Sequence, residues 1–201
     1  MEKESNKLFE MFLEDDNEDG LYALSMVDKP AMKATWVTLK EEHKIVLFKT
    51  VSEDKRVVLG AALIPEMPVY RDWYTPDGEK GLDIFFSEDT IRKSHELVMR
   101  KGLNTFTMGH GKTVPNVHLL EIWMIEDPEK DKQAVYGLSH PKGTMMVGLK
   151  INNDEVWTDY IKTGDLNGFS IEGLFKMADK PTGTLTDDEF ITAVKSALSV
   201  T

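Results

Sequence analysis

Short runs of β-branched and aromatic residues recur along the chain, each broken by Gly, Pro or Asp, and this rhythm constrains the fold more than any other feature. It predicts strands near 21–27, 44–50, 56–64, 81–86, 103–109, 117–126, 143–151 and 168–176. Three helical stretches interrupt them. The first, about 88–100, has Ser87 as N-cap, acids in its first turn and Gly102 just past its end. Its inner stripe of Ile91, His95 and Val98 makes His95 a packing residue. The second runs near 153–162, from Asn152 or Asn153 to Gly164. The third, about 187–199, opens with Thr186 and Glu189 in capping-box spacing and carries the stripe Phe190, Val194, Leu198. Strands outnumber helices and no connection has to be long. The expected architecture is therefore α+β: a small, mostly antiparallel sheet or barrel flanked by helices.

The charged run EDDNEDG at 14–20 has little to bury, so residues 1–20 are expected to form an acidic flexible leader. A main domain then spans 21–176, followed by a C-terminal linker and helix at 177–201. The opening MEKESNKLFE lacks the apolar core of a signal peptide, and no apolar stretch approaches the roughly 20 residues of a membrane span. Without cysteine, the chain has no disulfide, thiolate zinc site or cysteine nucleophile, which suits a reducing cytoplasm. A net charge of −11 argues against nucleic acid as a partner.

Two motifs are decoys. GHGKT at 109–113 resembles the end of a phosphate-binding loop, but the required first glycine is replaced by Phe106. His110, His118 and His140 match no metal-ligand spacing, and neither metal nor cofactor is expected.

Three segments carry more. In GFSIEG (168–173), alternation sends Phe169 and Ile171 to one face and Ser170 and Glu172 to the other. The flanking glycines leave room for another backbone to approach. In TFTMGHG (105–111), Phe106, Met108 and His110 alternate onto one side, with His110 at the strand end. A histidine, with its ordinary pKa of about 6.5, suits a general base there. LLEIWMIEDP (119–128) reads as a strand buried on both faces with Glu121 inside it. That carboxylate needs a partner, either a structural cation or a histidine that it orients.

Together with LSMVDKPAMKATWVTL (24–39), RVVLGAALIPEMPVYR (56–71), DIFFSEDTI (83–91) and PKGTMMVGLKINNDEVW (141–157), these segments resemble the XkdF-type phage prohead proteases. That family is related to the capsid-maturation serine proteases of tailed phages and to herpesvirus assemblin. The resemblance runs from about Leu21 to Phe175. It implies an assemblin-like barrel and a serine endopeptidase that cleaves scaffold protein, major capsid protein and itself. It also implies homodimerisation and work inside the assembling prohead in the host bacterial cytoplasm; with no apolar span in the sequence, no membrane partner is expected.

Carried over, Ser170 matches the nucleophile and His110 the base. In the wider family a glutamate precedes a Val-Ser-Leu-Val-like strand after the serine. Here the closest match, ALSMVDKPA (23–31), comes before the serine, as in a circular permutation, with Ala23 at the glutamate position. Either Ser170 and His110 act as a dyad or Glu121 is the third member, which is the favoured reading. Glu172, two residues along the strand and about 6.5–7 Å from Ser170, would have to reach around to His110. The turn around Asp28-Lys29-Pro30 is, by analogy, the candidate source of oxyanion donors. The competing reading is a non-catalytic capsid or scaffold component that keeps the protease fold.

Overall fold

A computed structural model of the protein describes residues 7–28, 48–178 and 183–184. Its strands are β1 (Lys7–Phe12), β2 (Gly20–Val27), β3 (Phe48–Ser52), β4 (Val57–Leu63), β5 (Val69–Tyr74) and β6 (Lys80–Phe86) before helix α1 (Glu88–Lys101). After it come β7 (Phe106–Met108), β8 (Lys112–Thr113), β9 (Val117–Met124), β10 (Met145–Ile151), β11 (Gly168–Leu174), β12 (Lys176–Met177) and β13 (Gly183–Thr184). The fold is mostly β with few helices.

The strands form three sheets. One has the order β12-β1-β6-β5, with β13 also paired to β1; the second is β3-β4-β10-β9; the third is β11-β2-β7-β8. The sheets curl around one core as a half-barrel. β4 (VVLGAAL) and β10 (MMVGLKI) are near-continuous apolar runs because they pair centrally and are buried on both faces. Phe169 of β11 packs on Phe48 of β3 with ring centroids 5.0 Å apart, joining the second and third sheets.

Helix α1 follows its sequence signals. The Ser87 hydroxyl accepts from Thr90 N–H at 3.4 Å, and Gly102, at φ +83°, donates to the Val98 carbonyl at 2.8 Å. His95 is half-buried on this helix. The stretch expected as a helix over 153–162 contains a π-helical turn at Val156–Ile161, with the Asn153 side chain accepting from Val156 N–H. The helix expected over 187–199 lies outside the described residues.

The acidic leader differs from expectation. Residues 7–12 form β1, which runs parallel to β6 inside the first sheet with Phe9 fully buried. The acidic run after β1 folds back as a turn. The Asp19 carboxylate accepts from Glu14 and Asp15 N–H at 2.8 and 3.0 Å. These bonds, that of Asp15 foremost, lower its pKa. Asp16 pairs with Lys93 and Arg100 of α1 at 2.8 and 3.4 Å. The acids are thus docked on the basic face of the helix. Downstream, β12 and β13 pair with β1, so the segment beginning at 177 contributes to a sheet as well.

Candidate functional site

The third sheet builds the site. β11 pairs antiparallel with β2 so that Ser170 lies opposite Ser25, and β2 pairs parallel with β7 so that Ser25 lies opposite Thr107. Directly opposed residues share a face, so Ser170, Ser25 and Thr107 form a polar row across three strands. Alternation adds Glu172 to the same face. Ser25 is fully buried, Thr107 is 5% exposed and Ser170 is 9% exposed.

The close approach expected at the glycines is real at Gly173. A β-carbon there would lie 2.8 Å from the Gly20 carbonyl oxygen, at the bulge where β11 shifts register against β2.

His110 sits just beyond β7, not within its alternation. β7 ends at Met108, and Gly109 and His110 have φ values of +60° and +61°. Gly111 N–H donates to the Met108 carbonyl at 3.3 Å, closing a tight primed-type turn into β8. Gly109 adopts this conformation freely, whereas His110 bears the cost of a left-handed backbone. Two anchors hold the turn over the polar row. Gly109 N–H donates to the Met26 carbonyl at 3.1 Å, and His110 N–H donates to Ser25 Oγ at 2.9 Å. Ser25 therefore neighbours both His110 and, one strand spacing of about 4.8 Å away, Ser170.

The carboxylate beside the histidine is Glu172. Its Oε1 lies 3.5 Å from His110 Nδ1 and accepts a hydrogen bond of 2.5 Å from Thr107 Oγ1. Glu121, the expected third member, is elsewhere. It stands opposite Gly148 on β9, an edge strand of the second sheet, half-exposed instead of doubly buried, and its carboxylate pairs with Lys132. The Lys132 ammonium also lies 3.7 Å from the Trp123 ring centroid. Glu121 thus takes the structural-cation alternative.

His118 and His140 stay apart from the site. His118 lies on β9 opposite Lys150. His140 is buried in the loop before β10, where loss of solvation pulls its pKa down to about 4. Among the described residues, no group of three or more potential ligand side chains could hold a metal, and no helix is long and apolar enough to cross a membrane. Of the turn at Asp28-Lys29-Pro30, only Asp28 lies within the described residues.

Sequence reasoning missed Ser25 and Thr107. Both lie in segments that carry the resemblance, but period-two alternation assigns a face without naming the strand that the face adjoins. An imidazole, a supporting carboxylate and a serine on one face of a sheet can carry out acyl transfer when backbone donors receive the oxyanion.

No curated protein and no solved structure matches the chain significantly. Residues 44–179 match the family described as "Putative phage serine protease XkdF", which takes in His110, Ser170 and Glu172 but begins after β2. The matched span covers more than half of the chain, which therefore belongs to this XkdF family.

Proposed function

We propose that the protein is a serine endopeptidase of prohead maturation, with Ser170 as nucleophile, His110 as general base and Glu172 as the residue that orients and charge-stabilises His110. One observation carries this reading: Glu172 Oε1 faces His110 Nδ1 at 3.5 Å, and His110 is anchored to Ser25 beside Ser170. With Nδ1 turned to the carboxylate, Nε2 is left to take the Ser170 hydroxyl proton. Oγ attacks the scissile carbonyl to form a tetrahedral intermediate. His110 then returns the proton to the leaving amine, and water, deprotonated by the same imidazole, cleaves the acyl-serine ester.

The register also supports a permuted assemblin-like barrel. β2 bears the ALSMVDKPA segment with Ala23 at the wider family's glutamate position, and Ala23 lies directly opposite Glu172. A carboxylate missing from one strand is supplied from the facing position of its neighbour. The family context makes scaffold protein, major capsid protein and the protease itself the substrates, and the assembling prohead in the host cytoplasm the place of action.

The test is co-expression of the native chain or Ser170→Ala with the cognate capsid and scaffold proteins, followed by intact-mass measurement. Processing that disappears in Ser170→Ala supports the reading. Identical masses in both, with proheads assembled, refute it.

A further inference from the structure

Ser170 borders a narrow cleft where β11 faces the first and second sheets. It has a volume of about 30 Å³ and lies along the edge of β11, where Phe169, Ser170 and Ile171 all border it; its other walls include Leu63, Met67, Val69, Phe86 and Arg71. That space holds one or two waters, enough for the tip of a side chain but not for an aromatic ring. Among the described residues, Arg71 is its only charged lining residue. On β5, an edge strand, Arg71 lies opposite Leu82 and is half-buried.

Its guanidinium donates to the neighbouring Tyr70 carbonyl at 3.0 Å and stands 5.7 Å from the Trp73 ring centroid. Among the described residues no carboxylate lies within ion-pairing distance of it, although acidic residues outnumber basic ones by 35 to 24 in the chain. Burial without a counter-charge lowers its pKa from the ordinary arginine value. Partly desolvated guanidinium groups in proteins are normally matched by a carboxylate or phosphate, and the fork of donors suits a planar carboxylate.

We infer that this cleft is a specificity subsite in which Arg71 receives the carboxylate of an aspartate or glutamate side chain of the substrate polypeptide. The inference rests on the proposed protease function, since it identifies the lining of the Ser170 cleft as a substrate subsite. Leu63, Met67, Val69 and Phe86 take the methylenes of that side chain, and the narrow slot turns away bulkier ones. Selection comes from charge: a glutamine of the same shape leaves Arg71 without its counter-ion, at a cost of about tenfold or more in affinity.

The test uses the full-length chain carrying Ser170→Ala and end-blocked decapeptide pools whose central position is fixed as Glu, Gln or Lys and whose other positions are randomised. Affinity-selection mass spectrometry measures retention. About tenfold preference for the Glu pool over the Gln pool is expected. It should vanish in an added Arg71→Met and give way to the Lys pool in an added Arg71→Glu. Equal retention, no retention of any pool, or a Glu preference indifferent to Arg71 overturns the inference. Exposure of the same pools to the native chain separates the two ideas. Arg71-dependent retention without Ser170-dependent cleavage refutes the protease and leaves the carboxylate subsite standing. Ser170-dependent cleavage with no acidic preference refutes the subsite and spares the protease.

Discussion

Replacing Glu172 by glutamine keeps the side-chain shape and removes a negative charge 3.5 Å from His110 Nδ1. Two unit charges at that distance interact by about 5 kcal/mol at an effective dielectric of about 20, and by about 1 kcal/mol in bulk water. His110 is 44% exposed and Glu172 18% exposed, which places the pair between those limits. About 2–3 kcal/mol of imidazolium stabilisation is then at stake in the transition state. The expected fall in kcat/KM is about 30- to 160-fold, carried by kcat because Glu172 acts through His110 in the proposed mechanism. Glu121→Gln is the matched control. Its ion pair with Lys132 is solvent-exposed, so its loss costs at most about 1 kcal/mol of stability and leaves turnover unchanged. The assay is a processing time course on a capsid or scaffold substrate under single-turnover conditions, with urea midpoints to show that each variant is folded. Glu172→Gln turnover within threefold of native, or an equal loss in Glu121→Gln, would refute the assignment of the carboxylate.

Two further predictions concern stability. Gly173→Ala should lower unfolding free energy by about 1–3 kcal/mol, because the new methyl group meets the Gly20 carbonyl at 2.8 Å; an unchanged urea midpoint would contradict the close approach. For His140, the folded pKa is about 4, against about 6.5 in the unfolded chain, so the unfolded state binds more protons between those values. Stability from this residue is full above about pH 6.5 and falls by about 3 kcal/mol as pH drops to 4. Urea titrations over that range should show His140→Met losing up to one proton of pH dependence, and coincident slopes would contradict the buried neutral imidazole.

The sequence readily disclosed elements whose signals are local. α1 was bounded by Ser87 and Gly102, and the central strands β4 and β10 by their apolar runs. β1 was missed because its alternation, KLFEMF, runs into the acidic turn, and the cations that hold that turn lie on α1, some 80 residues later. β5 was missed because VYRDWY is a largely exposed edge strand without an apolar face to display. The site followed the same division. Alternation put Ser170 and Glu172 on one face, but choosing Glu172 over Glu121 required knowing that β11, β2 and β7 are adjacent. Likewise, nothing local to TFTMGHG reveals that two successive left-handed residues turn His110 back over Ser25.

The pairing of β2 with β11 also fixes when the candidate site can exist. Ser25 and Ser170 face each other across roughly 145 residues of intervening chain, and closing a loop of that length costs about 4 kcal/mol of chain entropy. At synthesis rates of about 5–20 residues per second, β2 waits on the order of 10–30 s for its partner. During that wait, neither Glu172 nor Ser170 has left the ribosome. A nascent chain therefore cannot carry out the proposed chemistry on itself or its surroundings until β11 has emerged and paired with β2.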